Sequence, residues 1–306
     1  MKKPIHLLLS LLLLAGSAFA SGKKESPFSF PMMNFHKGKT PWTDLQANNN
    51  PRNFQFAIVS DRNGGMREGV FEEAVDDLNL MQPEFVISIG DLIKGYTRDE
   101  DEMYDEWEEF DDIVQQLKMP FFYVPGNHDL SYPELVDEWE ARYGPTYYCF
   151  KYNGALFVVL NSQFIANYRN RFAGEHKKQL AFLEQTLKKA GSVRWTFVFL
   201  HHPFWRLNKS DKTPPEAMDR WLEVEKLLQG RKYTVFAGHT HHFKLVGRGD
   251  GGMDYITLAT TGGGSDLGGV PQGKYDHFLW VTMTDEGPVF ANLLLDGVLD
   301  IHDSGF

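Results

Sequence analysis

Five short polar blocks hold the residues of this chain best suited to metal and acid–base chemistry. They are Ser60-Asp61-Arg62-Asn63, Gly90-Asp91, Gly126-Asn127-His128-Asp129, His201-His202-Pro203 and Gly238-His239-Thr240-His241. Each follows an apolar, strand-like run: FQFAIV, FVISI, FFYV, WTFVFL and YTVFA. Polar residues at the ends of neighbouring strands gather along one edge of a sheet, where ligands bind in open α/β folds. The blocks would bring together two aspartates, up to two asparagines and three or four histidines. Such a nitrogen and oxygen donor set suits Mn, Fe, Zn, Co or Ni, and the absence of thiolates disfavours a structural zinc site. The combination points to a metal-dependent hydrolase.

The elements that must position these blocks are legible from periodicity. FQFAIV (54–59) is the first expected strand, and Val70, Phe71, Ala74, Val75 and Leu78 then fall at helical spacing. FVISI (85–89) and FFYV (121–124) are further strands, separated by an acidic helix over 99–117 with Trp107, Phe110, Val114 and Leu117 as its packing stripe. A helix over 133–143 begins with proline, which suits a first turn. Segments 147–152 and 155–160 form a hairpin, since Asn153-Gly154 favours a tight primed turn. Helices over 175–190 and 216–229 lead to strands 195–200 and 233–237, and four strands follow at 242–247, 254–259, 277–283 and 288–295. Alternating strands and helices followed by hairpins predict a mixed sheet backed by a second sheet, with helices outside. Gly262-Gly263-Gly264 lacks the Lys-Ser/Thr of a phosphate-binding loop and opens no helix, which excludes that motif.

Of the 306 residues, the first twenty read as an export signal. Lys2 and Lys3 precede the apolar LLLSLLLLAG run, and Ala18-Phe19-Ala20 is a small-x-small cleavage site. The apolar run is about ten residues, short of the roughly twenty that span a bilayer. The expectation is cleavage after Ala20, an exported periplasmic or secreted protein, and no stable membrane anchor. Residues 21–52 are rich in Lys, Gly, Pro and Asn and read as a flexible arm. One domain is expected over 53–296, with a tail over 297–306. Cleavage removes two of the 31 basic residues and none of the 41 acidic ones, so 29 stand against 41 and the formal charge is −12. That balance disfavours a nucleic-acid polymer as partner, although bound metal can reverse the local field toward a phosphate. Cys149, the only cysteine, cannot form an intramolecular disulfide.

In this order the blocks resemble the calcineurin-like metallophosphoesterases, which include purple acid phosphatases and cyclic-nucleotide phosphodiesterases. The likeness rests on Gly90-Asp91, Gly126-Asn127-His128-Asp129, the later His201 and Gly238-His239-Thr240-His241, and it spans roughly 54–295. It implies an α/β fold, a four-layer α/β/β/α sandwich of two mixed sheets flanked by helices, with two divalent or transition metal ions at the strand ends. By resemblance Asp91 bridges the ions. Asp61 and His241 join it on the first, while Asn127, His201 and His239 complete the second. His201 is preferred over His202 because the family places its ligand two residues before the proline, leaving His202 behind it or against Trp205. His128 would contact the phosphate or protonate the leaving oxygen, with Asp129 orienting its ring.

The residue types suit these roles. A carboxylate can span two ions about 3.5–4 Å apart, and such a pair can hold a phosphoryl oxygen and activate a water. Asn127 is a neutral oxygen donor that helps keep the centre positive. His239 and His241 are two apart, so either a straight strand or a loop after it would present both. The family has histidine where this chain has Asn63, which would be a weak ligand, bind through water, or sit out. Arg62 and Asn63 are alternatively substrate contacts, as are His202 and Trp205. Tyr168, Arg169, Arg171, Lys209 and Lys212 fall in segments expected to cover the site, at 92–99, 163–174, 203–215 and 262–275. The expected activity is hydrolysis of a small phosphate monoester or diester by a metal-bound hydroxide. The rival expectation is a degenerate metal-binding or interaction protein without turnover.

Overall fold

The first strand shows how this sequence builds layers. In β1 (Phe54–Ile58), Phe54, Phe56 and Ile58 enter a core between two sheets, while Ala57 joins a second core on the opposite face. A strand buried on both sides loses the apolar–polar alternation of a surface strand, which explains its continuous apolar run. The computed structural model describes residues 43, 47–167, 171–206, 214–248 and 253–297. The expected signal, most of the arm and the tail lie outside the described residues, as do Tyr168, Arg169, Lys209 and Lys212. The chain divides between Asn50 and Pro51, and every strand and helix named here belongs to the unit beginning at Pro51.

The first sheet has the order β11 (Pro288–Leu294), β10 (His277–Met283), β1, β2 (Val86–Ile87), β3 (Phe121–Phe122). β1, β2 and β3 are parallel, and β10 and β11 continue the sheet antiparallel. The second sheet runs β4 (Tyr148–Tyr152), β5 (Ala155–Val159), β6 (Thr196–Phe199), β7 (Tyr233–Ala237), β9 (Met253–Thr257), β8 (Lys244–Arg248). Its four inner strands are parallel and its two edges antiparallel. Both sheets are therefore mixed. Phe157 and Phe197 fill the space between them with Phe56, whereas Val158 and Val198 face outward into a third core.

Helices α1 (Val70–Met81), α2 (Glu100–Val114) and α3 (Pro133–Tyr143) cover the first sheet. Helices α4 (Ser162–Ala166), α5 (Glu175–Ala190) and α6 (Pro215–Leu228) cover the second. In α2 the Asp99 side chain accepts the amides of Asp101 and Glu102, and acidic residues fill the first turn, where the helix dipole favours them. Trp107 and Phe110 are wholly buried, so the acidic residues form the outer face. The result is the expected α/β/β/α sandwich.

The differences from expectation are local. Ladder pairing in β2 and β3 covers two residues each, because beyond Ile87 the Ser88 hydroxyl takes the Val124 amide at 2.8 Å. Helix α4 escapes sequence reading because five residues are too few to show a helical period. Among the described residues, no helix is long and apolar enough to cross a membrane.

Candidate metal centre

The polar blocks follow β1, β2, β3, β6 and β7, and backbone bonds tie them into one edge. Asn63 N donates to Asp91 O at 2.9 Å, Gly238 N to His201 O at 3.0 Å, and Gly263 N to Asp61 O at 2.8 Å. The approach is close enough to require glycine at two points. A Cβ on Gly126 would overlap the Asp91 carboxylate, and one on Gly238 would overlap that of Asp61.

Asp91 sits at the middle of the cluster, 2% exposed and with φ of +57°. Its Oδ1 accepts the His128 amide at 3.0 Å, while Oδ2 lies 3.1 Å from His201 Nε2 and 4.0 Å from His128 Nε2. Asp61 is wholly buried, and its Oδ1 accepts the His239 amide at 2.9 Å and lies 3.4 Å from His241 Nε2. Two groups of potential ligands result, Asp91 with His201 and His239, and Asp61 with Asp91 and His241. Within each, the donor atoms lie within 4.8 Å of one another. Asp91 belongs to both groups.

Second bonds fix which histidine nitrogens face the cluster. His201 Nδ1 donates to Ile89 O at 2.9 Å and His241 Nδ1 to Gly264 O at 2.6 Å. A carbonyl only accepts, so both rings carry a proton on Nδ1, which leaves Nε2, turned toward the carboxylates, as the nitrogen that a metal would take. His239 Nδ1 lies 3.2 Å from His201 Nε2, so two imidazole nitrogens converge. His239 and His241 both have positive φ, +68° and +50°, so they are presented by a loop after β7 and not by a straight strand.

Asn127 adds an independent sign of fit. Its Nδ2 donates to the Tyr96 hydroxyl at 3.0 Å, while its buried Oδ1 has no hydrogen-bond partner. Leaving such an oxygen unpaired costs about 1–3 kcal/mol, which a cation would offset. Clustered carboxylates, convergent imidazole nitrogens and an orphaned amide oxygen make a donor set that fits divalent metal.

Charge within the metal-free cluster is strongly coupled. Burial pushes the Asp91 carboxyl up, but His201 and the bonds from His201 and His128 outweigh it and hold Asp91 below the usual carboxylate range. Burial opposes a charged His201, yet Asp91 and Asp61 raise it to about 9. Burial, then the neighbouring His201, lowers His239 to about 4. His241 is raised, because Asp61 outweighs burial.

Several expected roles need correction. Asp129 does not orient the His128 ring: its Oδ2 accepts the amides of Asp91 (2.9 Å) and Gly126 (2.7 Å), and its Oδ1 those of Leu92 (2.8 Å) and Ile93 (3.2 Å). Two tightly turned loops leave buried N–H groups to satisfy, and an anionic acceptor does so well. The Lys94 carbonyl holds the His128 ring instead, at 2.6 Å from Nδ1. Arg62 is 3% exposed and already engaged, bonding Leu92 O at 3.2 Å and Glu109 Oε1 at 2.5 Å beside the Phe110 ring. His202 is 1% exposed; Nδ1 pairs with Ser162 Oγ at 2.7 Å and its ring stacks on Phe204. Trp205 packs on Trp221 and Tyr255 in the outer core of the second sheet. The Asn63 Nδ2 lies 3.9 Å from the Met66 sulfur.

Two residues not singled out from sequence support the cluster, one by direct contact and one through the neighbouring glycine segment. Tyr96 touches both Asn127 and His128. Arg67 forms a bidentate pair with Asp276 at 2.5 Å and also donates to Gly263 O, steadying the 262–264 segment whose Gly264 carbonyl holds His241. Arg171, in a segment expected to cover the site, bonds the Ser131 carbonyl.

Comparison with known proteins agrees with this geometry. The sequence profile of the calcineurin-like phosphoesterases matches residues 54–243. The Bos taurus serine/threonine-protein phosphatase CPPED1 is 30% identical over 195 residues, covering 56% of this chain and 58% of that protein. The chain thus spans a little over half the length of that relative. A dimetal phosphatase from Danio rerio shares the fold with a TM-score of 0.59 at 15% identity, covering 79% of this chain and 96% of that one. GAP50, described as the anchor in the inner membrane complex of Plasmodium, gives 0.62 at 15% identity over 81% and 87%. Identities this low speak to fold alone. The profile match covers more than half of the sequence and includes every polar block, and on that ground the chain belongs to the calcineurin-like phosphoesterase family.

Proposed function

We propose that this protein is an exported phosphoesterase that hydrolyses small phosphate monoesters or diesters at a centre of two divalent ions. The observation that carries the reading is the pair of ligand groups sharing Asp91. Asp91 would contact both ions, Asp61 and His241 the first, and His201, His239 and the Asn127 carbonyl oxygen the second. When bound, two such ions polarise a phosphoryl oxygen and lower the pKa of a water between them. The chain supplies the rest. Its carbonyls fix the ring tautomers of His201 and His241, and its glycines let the strand-end loops close on the carboxylates. The His128 ring, held by Lys94 O, turns Nε2 to within 4.0 Å of Asp91, a place from which it can carry a proton to the leaving oxygen. The exported setting is supported by the first twenty residues, with Lys2, Lys3, the leucine-rich run and Ala18-Phe19-Ala20.

The rival reading, a metal-binding protein without turnover, rests on Asn63 in place of histidine. Metal content and turnover separate the two. Protein loaded with Mn, Fe, Zn, Co or Ni should cleave a nitrophenyl phosphate monoester or diester. A folded protein holding two ions but inert toward both substrate classes with every metal would favour the rival.

A further inference from the structure

The loop after Asp91 holds an exposed aromatic residue far more firmly than solvent exposure requires. Tyr96 is 53% exposed, yet its backbone takes φ of +56°, a conformation that disfavours any residue with a Cβ. Three bonds pin the segment: Tyr96 N to Ser131 Oγ at 2.8 Å, Gly95 N to Glu106 Oε2 at 2.8 Å, and the Lys94 carbonyl to His128 Nδ1 at 2.6 Å. Gly95 lies so close to the His128 carbonyl that a Cβ there would overlap it. Backbone strain in an exposed loop persists where the position of the side chain matters.

That side chain meets two residues of the proposed centre. The Tyr96 hydroxyl accepts Nδ2–H of Asn127 at 3.0 Å, and the ring stands edge-on to His128, with centroids 4.8 Å apart and planes at 89°. A primary amide has one donor end and one acceptor end. With Nδ2 held by the phenol, the carbonyl end must point the other way, and there the buried Oδ1 has no protein partner. Were the amide reversed, two N–H donors would face the cations and binding would be lost.

We infer that Tyr96 is a positioning residue, whose hydroxyl fixes the Asn127 amide with Oδ1 toward the ion held by His201 and His239. Its ring edge also confines the His128 imidazole against the Lys94 carbonyl. This rests on the function proposed above.

The test is a metal titration by calorimetry on wild type, Tyr96→Phe, Asn127→Ala and the double variant. Tyr96→Phe keeps the ring and removes only the hydroxyl, so thermal unfolding of the metal-free protein should be unchanged. Partners that orient a metal ligand typically contribute about 10–100-fold in affinity. Tyr96→Phe should therefore weaken one ion by about tenfold and leave the other within about twofold. If the hydroxyl acts through Asn127, the double variant should bind as weakly as Asn127→Ala alone and no more weakly. Unchanged affinity for both ions, or losses that multiply in the double variant, would overturn the inference while the proposed function stands. A wild type that takes up fewer than two ions would instead overturn the proposed function and this inference with it.

Discussion

Replacing Asp129 by asparagine exchanges one carboxylate oxygen for an amide nitrogen, and it should destabilise the protein by about 3–6 kcal/mol. Each Asp129 oxygen accepts two backbone amides, Asp91 and Gly126 on one side and Leu92 and Ile93 on the other. Whichever way the new amide turns, its NH2 must face two N–H donors that cannot reach water. Bonds to a charged acceptor contribute about 1.5–3 kcal/mol each, which gives the stated range for two. That is a large part of the about 5–15 kcal/mol that holds a typical domain together. Because the Asp91 amide is one of the four, the same change should loosen the loop that carries Asp91 and weaken metal binding. Urea unfolding of the metal-free variant and wild type, compared at equal slope, gives the magnitude. A loss under about 1 kcal/mol with intact metal affinity would refute the account of Asp129 as the tie between the two loops. If that result came with lost turnover, Asp129 would be acting on the reaction instead.

Two other perturbations test different parts of the structure. Burial first, and then Glu73 and Asp76, raises the Asp77 carboxyl from 3.8 to about 6. A group whose folded pKa is the higher binds more protons folded, so its contribution to stability falls as pH rises through about 4 to 6 and stays lower above that. A rise from 3.8 to about 6 corresponds to at most about 3 kcal/mol for this 5% exposed residue. Asp77→Asn should therefore stabilise at pH 7.5 and have little effect near pH 4, as read by urea unfolding at each pH; an equal effect at both would contradict this. Asn63→His should tighten the more weakly held ion by about tenfold, or about 1.4 kcal/mol, because imidazole nitrogen is the better donor to borderline metals. Identical titrations of both ions in the two proteins would mean that position 63 does not touch metal. The buried, Glu109-paired Arg62 could not then serve as a substrate contact in its place.

What was legible in the sequence was what local pattern encodes. Helix α5 occupies 175–190 and β10 occupies 277–283 as spacing predicts, since side-chain period and flanking turns decide both. Asn153-Gly154 adopts φ of +41° and +79°, the primed turn its residue pair favours. Asp61, Asp91, His201, His239 and His241 come together because each closes a strand of a known kind of sheet edge. Hidden from the sequence was everything set by where loops cross. Asp129 looked like a partner for the adjacent His128, but amides 36–38 residues earlier claim its carboxylate. Arg62 is an alternative substrate contact by its place in the first block, but an acid 47 residues later on α2 pairs with it and it is buried. Tyr96 carried no signal in its type or spacing, since its role depends on a left-handed turn beside Asn127.

In the proposed site one carboxylate, Asp91, serves two metal ions, and counting the ions bound by Asp91→Asn tests this most directly. Asparagine tolerates the left-handed φ of +57° and keeps the side-chain shape, while removing the charge and one of the two donor oxygens. Equilibrium dialysis with elemental analysis should find two ions per wild-type chain and at most one, weakly held, in the variant, with hydrolysis of phosphate esters reduced to near background. Two ions bound by Asp91→Asn with affinity like that of wild type would contradict a shared carboxylate, and with it the arrangement of the site.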